Sequence, residues 1–262
     1  MASQTASAES LTEWKTSLID LALRSQILTF GTFTLKSHRI SPYFVNCGLF
    51  CTGELIEAIS SAYARTLLEY SASNPAFQFD VLFGPAYKGI PLAATTALQL
   101  AALEKQQSST STSGASGSST GKFAQIGYSF NRKEVKDHGE GGLMVGRSLK
   151  GQRVVIIDDV ITAGTAIREA IEMIRAQGGT LVGVIVAIDR QEKMPSQAEK
   201  EGKGDDGTPR GSAIGEVVRE TGVPVLAVLT LGNIVEGLKN LGRHEEVGRM
   251  EEYRKQYGAT DA

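Results

Sequence analysis

Three runs in the second half of the chain lack polar alternation: Arg153–Val160 (RVVIIDDV), Thr180–Asp189 (TLVGVIVAID) and Val223–Leu231 (VPVLAVLTL). A strand wetted on one face alternates apolar with polar residues, so these three need cover on both faces. Between the first two, Ile167, Ala170, Ile171 and Ile174 recur at helical spacing, which predicts a helix over Thr165–Gln177 ended by Gly178-Gly179. Strand, helix and strand of this kind specify an α/β chain: a mainly parallel sheet flanked by helices. The pattern extends upstream. Phe77–Gly84 (FQFDVLFG) and Phe123–Phe130 (FAQIGYSF) read as strands, and Pro91–Leu103 is apolar nearly all round, as a buried helix with Pro91 in its first turn would be. A short helix is expected over Ala213–Glu220 and a charged surface helix over Gly242–Tyr257.

Nearer the N-terminus, Leu11, Trp14, Leu18, Leu21 and Ala22 predict a helix over Ser10–Leu28, capped by Ser10. A second helix is expected over Gly53–Tyr70, with Leu55, Ile56, Ile59, Tyr63 and Leu67 inward. Phe30–Phe50, between them, reads as a hairpin or two short strands. Two segments are expected to be disordered insertions: residues 106–121, almost all Ser, Thr and Gly at their centre, and the charged residues 195–211. The whole chain, 1–262, reads as a single domain.

Charge and composition narrow the function. With 27 Lys and Arg against 29 Asp and Glu, the net charge of -2 makes no bulk case for nucleic acid or an anionic membrane. No apolar run approaches the roughly 18 residues that cross a bilayer, and the first residues lack the basic-then-apolar order of a secretory signal. Cys47 and Cys51 could share one helix face, but no second Cys or His pair completes a zinc site; they read as buried or incidental thiols in a reducing, cytoplasmic setting.

The chemistry concentrates where the first apolar strand ends. Ligands of open α/β sheets bind beyond the carboxyl ends of strands, and Asp158-Asp159 stands there. Adjacent strand residues point to opposite faces, so the pair is poorly arranged to chelate one metal alone; either acid can accept hydrogen bonds from sugar hydroxyls. The turn that follows offers Thr162 and Thr165 hydroxyls, a close backbone approach at Gly164 and N–H groups opening a helix, a cradle for phosphate. A ribose 5-phosphate fits both halves. The alternative is direct magnesium binding by the acids, as in phospho-acceptor signalling domains.

VVIIDDVITAGTA (Val154–Ala166) resembles the phosphoribosyl-pyrophosphate (PRPP) motif of the type I phosphoribosyltransferases. FTLKSHRISPYF (Phe33–Phe44), FGPAYKGIPLA (Phe83–Ala93) and FNRKEVKDHGEGG (Phe130–Gly142) are similar to segments of the orotate-specific branch of that family. The resemblance implies the type I phosphoribosyltransferase fold, with an N-terminal hood over roughly 1–50 and a core over roughly 51–240. It implies that Asp158 and Asp159 hold the ribose, and that Val160, Ile161, Thr162, Ala163, Gly164, Thr165 and Ala166 wrap the 5-phosphate. It assigns Lys88 to pyrophosphate and makes Arg132–Gly142 a mobile catalytic loop. In that loop Arg132 and Lys133 would grip phosphate oxygens, while Lys136 and His138 neutralise or protonate the leaving group. Read alone, the loop's mixed charges are equally those of a solvated, self-paired segment.

For the acceptor, the resemblance implies a planar pyrimidine carboxylate. Arg190 is suited to fork it, although an ion pair with Asp189 or Glu192 would use the same guanidinium. Tyr43 and Phe44 would wall the ring with side chain or backbone, Thr162 would touch the base, and Lys36 would approach the reacting phosphate or base. His38 stands where many relatives carry glycine. The implied reaction joins orotate to PRPP, giving orotidine 5′-monophosphate and pyrophosphate, with Mg2+ held mainly by PRPP and no metal ligated directly by the protein. A homodimer sharing the catalytic loop across subunits is implied as well. Transfer to another base, or a non-catalytic PRPP sensor that binds RNA, are the competing readings; the sensor would not need the Arg132–Gly142 loop and would want a basic surface.

Overall fold

The computed structural model describes residues 11–110, 121–136, 142–161 and 164–262, with the backbone alone at 107–110 and 135–136. In chain order the elements are α1 (Glu13–Arg24), β1 (Leu28–Thr34), β2 (Ile40–Val45), α2 (Gly53–Ser73), β3 (Val81–Phe83), α3 (Gly89–Thr110), β4 (Gly127–Lys136), β5 (Gly142–Gly146) and β6 (Arg153–Val160). There follow α4 (Thr165–Ala176), β7 (Thr180–Asp189), α5 (Gln197–Lys200), α6 (Ala213–Thr221), β8 (Val225–Thr230), α7 (Leu231–Asn240) and α8 (His244–Tyr257). Among the described residues, six strands form one sheet in the order β5-β4-β3-β6-β7-β8, parallel except for the β4/β5 pair; β1 and β2 make a separate antiparallel hairpin.

The absence of a polar face on β6 has the expected consequence. Val155 and Ile157 pack with Ile185 and Ala187 under α1, α2, α3 and α7, whereas Val154 and Ile156 pack with Val184 and Val186 under α4 and α6. Alternate residues of one strand thus serve two cores. In parallel register Asp158 lies beside Val186 and Val160 beside Ile188, so β6 and β7 finish at the same edge of the sheet.

Several expectations need correcting. Helix α1 starts at Glu13, with Thr12 before it as the cap residue; Ser10 lies outside the described residues. In FQFDVLFG only Val81–Phe83 is strand, because Phe77 and Phe79 turn into an aromatic cluster with Tyr70 and Phe123. Phe123–Gln125 is a 3-10 turn held by Glu104, which accepts from the Phe123 and Ala124 N–H groups at 3.1 and 3.0 Å, and the strand begins at Gly127. Residues read as loop, Asn131–Lys136, instead extend β4 and pair with β5. The final apolar run stops at Thr230, whose hydroxyl accepts from Asn233 N at 3.1 Å and opens α7, a helix the sequence reading missed.

Neither expected insertion is loop throughout. Helix α3 carries on to Thr110, and residues 111–120 lie outside the described residues. Segment 195–211 opens with α5 under a reciprocal Ser196–Glu199 capping box, and both of these side chains are buried. Arg39 of the hairpin is the reason: its Nε and Nη2 donate to Glu199 at 2.6 and 3.1 Å. The two cysteines do not share a helix face: Cys47 lies in a 3-10 turn, Cys51 is exposed, and both are free thiols.

Ile156 has no exposed surface and neighbours α4 across the sheet. Ile156→Ala should therefore cost about 2–5 kcal/mol of unfolding free energy, measured by urea titration; a loss under about 1 kcal/mol would mean the sheet is not packed this tightly.

Candidate active site

The C-terminal edge of the sheet gathers the candidate residues. Alternation turns Asp159 toward the α2/α3 layer and Asp158 toward the opposite face. The Asp159 carboxylate accepts from Lys88 Nζ at 2.7 Å. Lys88 arrives from the turn between β3 and α3, where two backbones meet: a Cβ on Gly84 would overlap the Gly89 carbonyl, and one on Gly89 would lie 2.7 Å from Gly84 C. Only glycine permits that crossing, and it fixes the lysine in front of β6.

Asp158 is held through its main chain. Its carbonyl accepts from the Tyr63 hydroxyl at 2.7 Å, and its carboxylate accepts from the Asp159 N–H at 2.9 Å. Burial, then the charge of Asp159, pushes its carboxyl up to about 6 against that N–H. Tyr63, counted in the sequence only as an inward helix residue, has no exposed surface and ties α2 to the carboxylate pair. Cys47, Tyr63, Lys88 and Asp159 line a cavity of about 140 Å³ together with Phe50 and Leu92. Burial, then the Asp159 charge, pushes the Cys47 thiol up to about 12, so it stays protonated at neutral pH.

Beyond Asp159, Val160 and Ile161 are half-buried; Thr162 and Ala163 lie outside the described residues. Gly164 takes the left-handed conformation, φ 74°, and opens α4 with no side chain capping it. Thr165 and Ala166 are exposed in the first turn, where helical N–H groups lack intrahelical partners. That turn can receive an anion.

Arg190 follows β7. Its Nε donates to Glu192 Oε1 at 2.8 Å, and Nη2 lies 2.6 Å from the same oxygen. The partner is thus Glu192 and not Asp189, whose carboxylate accepts from Gln191 N. The guanidinium also lies over the Tyr43 ring, 4.8 Å from its centroid. Tyr43 has no exposed surface, so its ring cannot wall a ligand entering from solvent, and only its backbone is left for that part. Phe44, the next residue, points the other way, is exposed and packs on Phe33 at 5.5 Å. Lys36 is exposed on the turn joining β1 to β2. That turn is closed by His38 N donating to the Leu35 carbonyl at 2.9 Å, and His38 itself takes φ 63°, the left-handed conformation a glycine would adopt without strain.

On the β4/β5 hairpin, Arg132 donates to the Gly142 carbonyl at 3.1 Å, and Lys133 lies 5.5 Å from the ring centroid of Tyr87, the neighbour of Lys88. The Lys136 side chain and His138 lie outside the described residues. Arg39 and Glu199 did not figure among the expected site residues, Glu199 because its segment read as a solvated loop; Glu192 figured only as an ion-pair partner for Arg190, which it is.

Comparison with known proteins agrees with this geometry. Residues 54–207 match the family model "Phosphoribosyl transferase domain". Orotate phosphoribosyltransferase of Metarhizium anisopliae is 47% identical over 96% of this chain and 98% of its own length. The crystal structure of orotate phosphoribosyltransferase from Francisella tularensis superposes with a TM-score of 0.71, at 35% identity, covering 93% of this chain and all of that one. A Mycobacterium tuberculosis H37Rv orotate phosphoribosyltransferase solved in complex with 5-phospho-α-D-ribosyl 1-diphosphate shares the fold alone, with a TM-score of 0.50 at 19% identity over 84% of this chain and 98% of that one. The chain belongs to the type I phosphoribosyltransferases and, within them, to the orotate phosphoribosyltransferases.

Because the folded-state pKa of Asp158 is raised, its ionised form strains the fold. The wild type loses relative stability as pH rises from about 4 through about 6. Urea unfolding should show the advantage of Asp158→Asn growing by about 2 kcal/mol between pH 4 and pH 8, while turnover falls. A pH-independent difference would show that the carboxylate is not under strain.

Proposed function

We propose that the chain transfers the 5-phosphoribosyl group of PRPP to orotate, giving orotidine 5′-monophosphate and pyrophosphate, a step of pyrimidine biosynthesis. The carrying observation is the paired carboxylates at the end of β6, one faced by Lys88 at 2.7 Å, beside an uncapped helix start. In this reading the acids accept from the ribose hydroxyls, and the turn through Thr165 holds the 5-phosphate. Lys88 leaves Asp159 for the diphosphate when substrate arrives. Arg132 and Lys133 reach the same diphosphate from the hairpin, and Lys136 and His138 neutralise or protonate it.

The bond between the anomeric carbon and the diphosphate oxygen breaks, with the electron pair leaving on oxygen. A bond from that carbon to the ring nitrogen of orotate forms, and the proton that nitrogen gives up passes to the departing diphosphate or to solvent. Positioning and charge stabilisation carry the catalysis, and no protein nucleophile is needed. Magnesium, when bound, offsets charge on the diphosphate. Among the described residues no three acid, His or Cys groups are placed to hold a metal, and Asp159 is already paired. The substrate's own oxygens would therefore hold most of such an ion's coordination.

The acceptor carboxylate is read by Arg190, with Lys36, Thr162 and the backbone of Tyr43 and Phe44 around the ring. We also propose a homodimer in which the segment between β4 and β5 completes the partner's site; exposed Tyr128 and Leu98 supply apolar area for such a contact. A cytoplasmic location fits the free thiols. Among the described residues no helix is long and apolar enough to cross a membrane.

Ultraviolet loss of orotate in the presence of PRPP and Mg2+ tests the assignment, with uracil and a purine run alongside. Orotate alone should be consumed at speed, and preference for a purine would refute the acceptor. Arg190→Ala should raise the orotate KM by about tenfold or more, the scale of one lost charged contact; an unchanged orotate KM removes Arg190 from the acceptor site.

A further inference from the structure

Behind Arg190 runs a line of alternating charges that the transfer reaction does not itself require. Glu199, on α5, takes two hydrogen bonds from Arg39 at 2.6 and 3.1 Å, and Arg39 Nη1 also donates to the Lys193 carbonyl at 2.9 Å. The Arg39 side chain is 2% exposed, and its guanidinium lies 4.7 Å from the ring centroid of Tyr257. The same Nη1 stands 3.6 Å from Glu192 Oε2. The other oxygen of Glu192 holds Arg190 and accepts from the Tyr43 hydroxyl at 3.3 Å.

Arg190 is therefore fixed on two sides. The Tyr43 ring backs its guanidinium, 4.8 Å from centroid to Cζ, and Glu192 occupies the Nε–Nη2 edge. Nη1 makes no hydrogen bond among the described residues, while Nη2 has only a further 3.4 Å contact to Ser41 Oγ. One edge of the fork is held and the other is left to offer. A free arginine loses much rotamer entropy when it grips a carboxylate, and a fork already immobilised avoids that loss at binding. Arg39 adds a second condition. It draws on the other oxygen of Glu192, so the acid positions Arg190 without being its private counter-ion.

We propose that Glu192, backed by Arg39, is the positioning residue that pre-sets Arg190 for the acceptor, and that this pair sets selectivity for a carboxylated over a neutral pyrimidine. The proposal rests on the reading of Arg190 as the carboxylate partner. It also gives segment 195–211 a purpose: Glu199 supplies the charge that keeps Arg39 buried at the base of the hairpin.

The test is steady-state kinetics of the full-length enzyme with orotate and PRPP varied separately, and with uracil as the neutral acceptor. Glu192→Gln should raise the orotate KM about tenfold and lower the orotate-to-uracil ratio of kcat/KM to match, with the PRPP KM moving less than about twofold. Tyr43→Phe, which removes only the hydroxyl contact to Glu192, should shift the same two quantities about two- to threefold and serves if Glu192→Gln does not fold. Arg190→Ala separates the two levels. If Arg190→Ala raises the orotate KM while Glu192→Gln and Tyr43→Phe do not, the positioning role falls and the reading of Arg190 stands. If Arg190→Ala leaves the orotate KM unchanged, both fall. A parallel rise in both substrates' KM values would reduce Glu192 to a structural residue and overturn the proposal.

Discussion

A strand with no polar face can end its apolar run only at the edge of the sheet, and β6 makes the rest of this molecule follow. Val154 to Ile157 have no exposed surface, so helices must cover both sides. The first residues free to be polar are Asp158 and Asp159, which places the carboxylates at the strand end where ligands of parallel sheets bind. The cost of this arrangement is electrostatic. Two acids share one strand end, and burial raises the proton affinity of Asp158. Lys88 relieves Asp159 by pairing with it at 2.7 Å.

The surroundings of Arg190 are built differently. They depend on long charged side chains recruited from distant parts of the chain: Arg39 from the hairpin, Arg190 and Glu192 after β7, and Glu199 from α5. Such pairs are weak in water and matter when buried, where an unpartnered charge is expensive. Their burial joins the N-terminal hairpin to the core, with Tyr43 and Tyr253 packed edge to face beneath it. The position of Lys88, by contrast, rests on backbone geometry, in the crossing of Gly84 and Gly89 that carries it.

Much of this was legible from residue order. The stripe Ile167, Ala170, Ile171, Ile174 placed α4 within a residue of its observed span, and β6 and β7 were found whole, because burial on both faces leaves a dense apolar signal. Short or mixed segments were not. Phe77 and Phe79 look like strand residues and are aromatic core beside one, and Asn131–Lys136 carries loop-like charges although it pairs with β5 as strand. Helix α7 was hidden because an apolar run stays apolar whether extended or helical; the Thr230–Asn233 capping pair is its only local sign. Glu199 looked solvated because its partner, Arg39, is 160 positions away.

From its sequence alone, this chain already determined the parallel α/β architecture, the place of the carboxylates at a strand end, and its likeness to a family of transferases. These are local or periodic properties, written in neighbouring residues. Tertiary structure alone decided which charge meets which: Lys88 with Asp159, Tyr63 with the Asp158 carbonyl, Glu192 with Arg190, Arg39 with Glu199. A charged side chain carries no mark of its partner in the order of residues, and only folding sets the distance and the burial on which the strength of each pair depends.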